Sequence, residues 1–460
     1  MVMGMDRRAF LKVLGTGAVG ALFGGTAPAR ERRRPNVVLI FIDDMGWKDA
    51  RYAGSDLYET PNIDQLAKEG VVFTNAYACA GNCAPSRACL ISGQYTPRHG
   101  VYAVNSTKRG PVNQMRLEPI PNSTVLAAEN VTIAEAMKAA GYATGMFGKW
   151  HLGKSGDVLP AGQGFDVDEN TSPPSSAQFK KTNDPKNIYR ITEGACRFME
   201  QNRDRPFFAY IAHHATHMGI QARRAMYDKF AGKGTGKIHS NEKYAAMNAQ
   251  MDDGVGIVLD KIKELGLEKD TLVLFTADNG GLPLSSQQPL RGFKGLYYEG
   301  GIRVPMIARW VGVTEAHSRC DVPVHNVDFY PTFLDIAETR GSWTHTLDGE
   351  SIVPLLRQAG KFKRDAIYWH YPHYHHSTPA GAIRQGDWKL IEFYEDGRVE
   401  LYNLKEDISE KNNLADKMPK VASRLKRSLA AWRKSVKADM PKPNPDYDPA
   451  RAHKWGRRKW

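Results

Sequence analysis

The sequence predicts an α/β fold, in which a large and mostly parallel sheet flanked by helices is followed by a smaller C-terminal antiparallel α+β subdomain. Three observations support this prediction. Hydrophobic residues make up 42% and charged residues 25% of the 460-residue chain, which excludes a disordered or collagen-like protein. Short apolar runs alternate with helical segments as far as about residue 340. Beyond that point, extended stretches flank a turn motif, which indicates antiparallel pairing.

The apolar runs of the first part are short, as is typical of strands buried on both faces of a sheet. One of the helices between them has clear ends, because Thr132 and Glu135 form a capping box and Gly141 stops it. The predicted strands are 37–42, 71–78, 142–147, 207–212 and 272–276, and the predicted helices are 63–68, 132–140, 191–202 and 242–265.

The C-terminal part has a different organisation. Residues 382–393 and 398–404 flank Glu395-Asp396-Gly397, which predicts a hairpin, and a basic helix is expected over 421–436. We therefore predict a large catalytic α/β domain over residues 30–340, a C-terminal subdomain over 341–445 and a basic tail over 446–460. The cationic residues of the tail are Arg451, Lys454, Arg457, Arg458 and Lys459.

Residues 1–29 have the features of an export signal that is removed from the mature protein. Arg7 and Arg8 precede a weakly apolar, glycine-rich stretch and a small-residue cleavage site at 27–29. The segment Arg7-Arg8-Ala9-Phe10-Leu11-Lys12 resembles a bacterial twin-arginine signal, and an ordinary secretory signal is the alternative. No later stretch is long and apolar enough to span a membrane, so we expect a periplasmic or secreted protein without stable membrane insertion.

The net charge of +13 favours an anionic partner. Nucleic acid is not the expected partner, because the chain has no recognised nucleic-acid-binding motif.

Five cysteines in 460 residues do not form a disulfide scaffold. Four of them, Cys79, Cys89, Cys196 and Cys320, could form up to two disulfides in three connectivities after export.

Reactive side chains follow four of the predicted strands at the point where each strand ends. They are Asp43-Asp44, the segment 148–151 with Lys149 and His151, the histidines 213, 214 and 217, and Asp278-Asn279. Each cluster alone has an ordinary structural explanation as a turn, a solvated charge or a packed ring. Ligands bind beyond the carboxyl ends of strands in an open parallel sheet, so we expect the four clusters to converge.

Asp43, Asp44, Asp278 and Asn279 offer only oxygen ligands, which suit Ca²⁺, or less well Mg²⁺. Zinc is the alternative suggested by the histidines, but their spacing lacks the HExxH pattern.

The segment 83–93 is the most specific part of the sequence. Pro85 suits the first turn of a helix, which would put Cys83 at the positive N-terminus and Arg87 one turn inside. This placement predicts an activated thiolate near an anion site, and a buried structural thiol is the alternative.

The motif Cys83-Ala84-Pro85-Ser86-Arg87, followed by Ser92-Gly93, resembles the signature of the type I sulfatases. These are arylsulfatase-like enzymes of the alkaline phosphatase superfamily whose cysteine is oxidised to formylglycine (3-oxoalanine). A second signature, Gly-Tyr-x-Thr then Gly-Lys-x-His, matches residues 141–144 and 148–151. Further matches lie at 43–46, 60–64, 277–280, 292–295 and 299–305, so the resemblance covers about residues 35–415.

The resemblance implies that a formylglycine-generating enzyme or an anaerobic maturase oxidises Cys83. The hydrated aldehyde would then attack sulfur. Arg87 and Lys149 would hold this diol, and Lys149 and Lys294 would neutralise the sulfuryl group while Ca²⁺ polarises its oxygens.

Two histidines match the acid and base of the family. His217 matches the general acid, and His151 would accept the remaining diol proton. The family pattern is often His-x-Pro, whereas this chain has His217-Met218-Gly219, so a neighbouring imidazole is an alternative donor. The possible substrate rim comprises His213, His214, His373, His375 and His376, the last three in an aromatic, His-rich loop.

The sequence therefore predicts an exported, calcium-dependent sulfatase that hydrolyses sulfate esters of a sulfated carbohydrate. The first alternative is a phosphate or phosphonate ester hydrolase of the same superfamily. An alternative from another class is a non-catalytic polyanion-binding protein. The basic tail is either a charged, disordered end or a means of concentrating the enzyme on a sulfated polysaccharide.

Overall fold

The computed structural model describes residues 34–172, 183–339 and 346–451. The predicted signal at residues 1–29 lies outside the described residues, and so does the tail beyond Arg451. Within the described ranges, no helix combines the length and the apolar character needed to cross a membrane.

An eight-stranded sheet forms the centre of the molecule. The strands of the chain are β1 (Asn36–Ile42), β2 (Val71–Phe73), β3 (Ala76–Tyr77), β4 (Leu117–Glu118), β5 (Ala143–Gly148), β6 (Val167–Asn170), β7 (Phe207–His213), β8 (Thr271–Ala277), β9 (Met306–Trp310), β10 (Ser318–Cys320), β11 (Val324–His325), β12 (Ala366–Tyr371), β13 (Ala380–Gln385), β14 (Trp388–Phe393), β15 (Val399–Asn403) and β16 (Lys442–Pro443). The large sheet has the order β10-β2-β9-β8-β1-β7-β5-β6, and two short pairs, β11-β3 and β16-β4, lie outside it.

The large sheet confirms the predicted, mostly parallel fold. Strands β8, β1, β7, β5 and β6 are parallel to one another, and β9 is antiparallel to both of its neighbours. The predicted strand 71–78 was wrong in one respect, because it divides into β2 and β3. The Thr74 backbone N–H still donates to Cys320 O of β10, whereas Asn75 donates its side-chain amide to Asp321 O, so the pairing of the first strand ends before Asn75.

Helices cover both faces of this sheet. The α-helices of the described residues are α1 (Pro61–Glu69), α2 (Cys83–Ser92), α3 (Thr96–His99), α4 (Ile133–Ala139), α5 (Ile188–Gln201), α6 (Arg224–Phe230), α7 (Glu242–Glu264), α8 (Glu299–Ile302), α9 (Phe329–Ile336), α10 (Val353–Leu356) and α11 (Pro419–Ser435). Neighbouring residues of a strand point to opposite faces. Phe207 contacts Phe198 of α5, whereas Phe208 contacts Phe333 of α9, so these two helices lie on opposite faces. The predicted capping box of Thr132 and Glu135 is present at the start of α4.

The strand register aligns the carboxyl ends of the central strands. Ile42 is opposite His213 of β7 and Ala277 of β8, and Gly148 is opposite Ala212. The residues that follow these strands therefore start from the same edge of the sheet. This is the alignment on which the predicted convergence of the four clusters depends.

The C-terminal subdomain is a four-stranded antiparallel sheet in the order β12-β13-β14-β15, on which α11 packs. The sequence prediction of one extended stretch over 382–393 was wrong, because β13 and β14 form a hairpin within it. Gln385 pairs with Trp388, which leaves Gly386 and Asp387 as a two-residue turn. Gly386 has a φ of +59°, a left-handed conformation that glycine adopts without steric cost. The second hairpin, through residues 394–398, agrees with the prediction.

A buried ion network joins the subdomain to the large domain. Lys389 Nζ lies 2.8 Å from Glu299 Oε1 and 2.9 Å from Glu410 Oε1, and all three side chains are fully buried. Burial opposes ionisation of both carboxyls. Lys389 nevertheless lowers the pKa of Glu299 to about 2, whereas burial raises that of Glu410 to about 7. Breaking such a buried cluster by removing one partner costs about 3–5 kcal/mol. The network therefore holds the segment around Glu299, which follows Lys294, against the subdomain.

Candidate active site

The predicted metal ligands meet at the carboxyl ends of β1 and β8. Asp278 Oδ1 accepts a hydrogen bond from the Asp44 backbone N–H at 3.0 Å, and Asp44 Oδ1 accepts one from the Asn279 amide at 2.8 Å. Asp44 has a φ of +64°, in the left-handed region that non-glycine residues rarely occupy. Strain of this kind is concentrated at functional sites, and here the backbone N–H of Asp44 faces Asp278 while its carboxylate faces Asn279 and Lys294.

These residues fit a bound cation. Asp43, Asp44, Cys83 and Asp278 each offer a donor atom, and the four atoms lie within 4.8 Å of one another. Asp43 Oδ1 and Asn279 Oδ1 are buried without a hydrogen-bond partner among the described residues. Buried polar atoms are normally satisfied. Carboxylate and amide oxygens are ligands that suit Ca²⁺. The orphaned oxygens and the donor set are therefore consistent with a hard cation held by Asp43, Asp44, Asp278 and Asn279.

Three basic side chains bind the buried carboxylates. Lys149 Nζ lies 2.6 Å from Asp43 Oδ2, and Lys294 Nζ lies 2.6 Å from Asp44 Oδ2. The Arg87 guanidinium donates from Nε and Nη2 to Asp278 Oδ2, at 3.0 and 2.7 Å.

The carboxyls of this cluster differ in their pKa values. Burial opposes ionisation of Asp43, but the charges of Lys149 and Arg87 hold its pKa well below the ordinary value. Burial and the neighbouring Asp43 raise the pKa of Asp278 to about 7 despite the contact with Arg87. The basic side chains therefore stabilise the charge of Asp43 more than that of Asp278. A bound cation would lower the pKa of Asp278.

Cys83 begins α2, as the sequence predicted, and lies inside this charge cluster. Its Sγ is 3.2 Å from Lys294 Nζ and 3.5 Å from Asp44 Oδ1. The prediction of an activated thiolate was wrong, because the unmodified Cys83 stays a protonated thiol. Burial and the charges of Asp278, Asp43 and Asp44 raise the pKa of the Cys83 thiol well above its ordinary value. Three carboxylates at this distance outweigh the partial charge of a helix N-terminus.

Arg87 contacts the framework of the site rather than the sulfur atom. It lies one turn inside α2, where its Nη1 donates to Lys149 O at 2.9 Å and to the Tyr210 hydroxyl at 3.4 Å. The resemblance had implied that Arg87 and Lys149 hold the oxidised Cys83. In the structure Lys294 is the cation hydrogen-bonded to that sulfur, and Arg87 links Asp278 to the loop that carries Lys149.

Two of the predicted histidines differ in environment. His151 has a φ of +65°, and its Nδ1 is buried without a hydrogen-bond partner among the described residues. Burial, with the charges of Lys149 and Arg87, lowers the pKa of His151 to about 3, so the ring is neutral and a weak base at pH 7. His217 is partly exposed, and its Nε2 lies 3.7 Å from Asp44 Oδ2. Burial lowers the pKa of His217, while Asp43 and Asp44 oppose this shift.

The structure corrects part of the predicted substrate rim. His213, the last residue of β7, is completely buried, whereas the next residue, His214, lines the cavity. Side chains alternate along a strand, so two adjacent histidines cannot both face the cavity. His373 is buried, and its Nε2 is hydrogen-bonded to Tyr102 O at 2.9 Å. Neither His213 nor His373 is therefore placed to contact a substrate.

His375 and His376 pack on the loop that carries Lys294. The ring of His376 lies 5.3 Å from that of Phe293, and Arg109 Nη1 donates to His375 Nε2 at 2.8 Å. A Cβ on Gly295 would lie 2.5 Å from His375 Nδ1, so the close approach requires glycine at this position. These histidines are half-buried and contact the site through the Lys294 loop.

A cavity of about 780 Å³ opens over the charged cluster. The residues that line it include Asp43, Lys149, His151, His214 and His217. Three of the four predicted strand-end clusters line this cavity, and the fourth, Asp278-Asn279, is hydrogen-bonded to Asp44 beside it, so the expected convergence is confirmed. The cysteines Cys79, Cys83, Cys89, Cys196 and Cys320 are all free thiols in the structure.

The sequence analysis did not identify two residues that contact side chains or backbone of the site. Tyr210 lies in the interior of β7 and reads as a core aromatic, although its hydroxyl contacts Arg87. Lys186 precedes α5 and reads as a surface lysine, although it is buried beside His217. No local motif marks either residue, since each is brought to the site by tertiary packing.

Comparisons with known proteins agree with this geometry. A protein-family model described as Sulfatase matches residues 35–339, and one described as N-sulphoglucosamine sulphohydrolase, C-terminal, matches residues 293–435. A sulfatase of Formosa agariphila is 32% identical over 491 aligned residues, which cover 87% of this chain and 89% of the relative. The N-acetylgalactosamine-6-sulfatase of Mus musculus is 31% identical, over 76% of this chain and 71% of the relative.

A similar solved structure is that of Ps i-CgsB in complex with k-i-k-neocarrahexaose. It has a TM-score of 0.74 at 28% identity and covers 87% of this chain and 93% of its own. The match of the Sulfatase family model extends over more than half of the chain and includes every residue of the cluster. The chain therefore belongs to the sulfatase family, the sulfuric ester hydrolases of the alkaline phosphatase superfamily.

Proposed function

We propose that this sulfatase hydrolyses sulfate esters of a sulfated carbohydrate, with a formylglycine derived from Cys83 and a bound Ca²⁺. The observation that carries the proposal is the position of Cys83 Sγ, which shares one donor cluster with Asp43, Asp44 and Asp278 and contacts Lys294. The carbohydrate part is supported by the names of two relatives, one a sulfatase of N-acetylgalactosamine and one crystallised with a neocarrahexaose.

Oxidation of Cys83 requires access to its side chain before folding is complete. The residue is only 1% exposed in the folded protein. A formylglycine-generating enzyme or an anaerobic maturase would therefore act on the unfolded or partly folded chain. In the mature enzyme, the hydrated aldehyde would supply the attacking hydroxyl at this position.

The cation ligands and the lysines of the site would bind the sulfate and stabilise its charge. Ca²⁺ on Asp43, Asp44, Asp278 and Asn279 would polarise the sulfate oxygens. Lys149 and Lys294 lie beside these carboxylates and would neutralise charge on the sulfuryl group in the transition state.

His151 and His217 would carry out the proton transfers. His151 is neutral at pH 7, so its ring has a nitrogen that would accept the diol proton, and an anionic sulfate beside it would raise its lowered pKa and make it a stronger base. His217 lines the cavity and is partly exposed, and in its protonated form it would donate a proton to the leaving alcohol.

Export by the twin-arginine route is also part of the proposal. Its motif, Arg7-Arg8-Ala9-Phe10-Leu11-Lys12, precedes the described residues. A pathway that moves folded proteins suits an enzyme whose modified residue must be buried by folding. The mature enzyme would then act in the periplasm or outside the cell, where sulfated polysaccharides are found.

The first prediction concerns the modified residue. Active enzyme should contain an aldehyde in the peptide that spans Cys83 and should react with a hydrazide reagent, as detected by mass spectrometry. Cys83→Ala should be nearly inactive and unreactive. Cys196→Ser, which changes a buried thiol away from the site, should keep both properties. Full activity in a preparation whose Cys83 is entirely thiol would contradict the proposal.

The second prediction identifies the general acid. A poor leaving group needs protonation more than a good one, so His217→Ala should slow the hydrolysis of a sugar sulfate by about 10²–10⁴-fold and that of an aryl sulfate much less. His151→Ala should slow both substrates alike. Steady-state kinetics on the two substrates measure this difference. Equal losses for His217→Ala would assign the acid to His214, the other histidine in the cavity wall.

The third prediction concerns the cation. Asp278→Asn keeps the shape of the side chain but removes a charge, so it should weaken Ca²⁺ binding and lower sulfate turnover by about tenfold or more, with partial recovery at high Ca²⁺. Zinc should not replace calcium, because no imidazole belongs to the ligand set. Asp253→Asn, which changes a partly exposed aspartate paired with Arg223, is the matched control. Undiminished turnover by extensively chelated protein would remove the cation from the mechanism.

A further inference from the structure

A buried lysine faces the cavity beside the proposed general acid. Lys186 is only 3% exposed, yet it lines the cavity wall. Its Nζ donates to His217 O at 3.0 Å and to Met218 O at 3.1 Å. An ammonium group has three N–H donors, so one donor remains after these two bonds.

The chain around Lys186 is fixed by its own contacts. The next residue, Asn187, has a φ of +53° and donates its side-chain amide to Ser172 O at 2.8 Å. The Asn187 backbone N–H donates to Asp184 O at 3.0 Å. Lys186 therefore reaches the cavity from a constrained segment and not from a freely moving surface loop.

Within the described ranges, Lys186 forms no ion pair with a carboxylate. The carboxylates whose charges act on Lys186 are Asp43 and Asp44. Both are already paired, Asp43 with Lys149 and Asp44 with Lys294. Burial lowers the pKa of Lys186 to about 8, so the side chain is still mostly charged at pH 7. A buried charge without a counter-ion is costly, and such charges are normally paired. The missing counter-ion is expected to come from a molecule that enters the cavity.

The surrounding wall suits an anionic and hydroxyl-rich ligand. Besides Lys186, it includes the exposed Lys154 and the polar side chains of Asn170, Ser172 and Gln221. Asp43 is the one carboxylate of this lining among the described residues. The sulfate ester itself would be held by Lys149 and Lys294, so Lys186 is free for a different group of the substrate.

We propose that Lys186 binds a second anionic group of the substrate, a carboxylate or a further sulfate, next to the ester that is cleaved. This inference rests on the proposed function and narrows the substrate to an acidic or multiply sulfated saccharide. Lys186 also fixes the backbone of His217 and Met218, so binding of this group is coupled to the position of the general acid.

The test compares kcat/KM on three saccharides that share one cleavable sulfate. The first has no other charge, the second has a uronate carboxylate on the neighbouring sugar, and the third has a second sulfate there. The wild-type enzyme should prefer one of the acidic saccharides. In Lys186→Met this preference should fall by roughly 10- to 100-fold, because hydrogen bonds to charged groups are the strongest class. The acidic saccharide that loses most identifies the anionic group.

Two further variants separate specific binding from general charge. Lys186→Arg keeps the cation and should keep most of the preference. Lys154→Met removes an exposed charge from the same wall and should change the preference less than threefold, since exposed charges contribute little. A loss in Lys186→Met that is equal on all three saccharides overturns the inference, and so does an equal fall of preference in Lys154→Met.

The wild-type enzyme can overturn the inference by itself, so the test does not depend on whether the variants fold. Turnover of sulfate esters without any preference for the acidic saccharides overturns the role of Lys186 and leaves the proposed function intact. Failure to hydrolyse any sulfate ester, aryl sulfates included, overturns the proposed function and this inference with it.

Discussion

The burial of three carboxylates in one cluster is the constraint on which the site depends. Asp43, Asp44 and Asp278 are almost fully inaccessible and lie within contact distance of one another. Carboxylates in such a cluster repel each other and lose their hydration, so positive charge must be brought to them. Lys149, Lys294 and Arg87 provide it, each from a different part of the chain.

The fold meets this constraint by topology. Parallel strands place Asp43 and Asp278 at one sheet edge, and the antiparallel subdomain secures the Lys294 loop. Glu299, five positions beyond Lys294, is held by the buried Lys389 of β14. The packing of His375 and His376 against Gly295 adds a second contact between the subdomain and this loop. The subdomain therefore contributes to the site by fixing Lys294, although no strand of its sheet supplies a ligand.

Much of this arrangement could be predicted from the sequence. The apolar periodicity predicted the parallel sheet, and the position of reactive residues after strands predicted their convergence. The partners of each charge could not be predicted, because they depend on tertiary distances. Arg87 binds Asp278 and not Cys83, the carboxylates raise the pKa of the Cys83 thiol, and Lys186 faces the cavity. The burial of His213 and His373 likewise depends on which face of a strand or loop meets the core.

In the proposed mechanism a cation binds the carboxylate cluster, and Lys149 and Lys294 then bind the substrate in place of the carboxylates. The most direct measurement is a crystal structure of the mature enzyme with Ca²⁺, with the ion identified by its anomalous scattering. We expect one ion with oxygen ligands at about 2.3–2.6 Å from Asp43, Asp44, Asp278 and Asn279. Lys149 and Lys294 should then have left Asp43 and Asp44 and point into the cavity. A structure at saturating Ca²⁺ with no ion there, and with both lysines still bonded to these carboxylates, would contradict it.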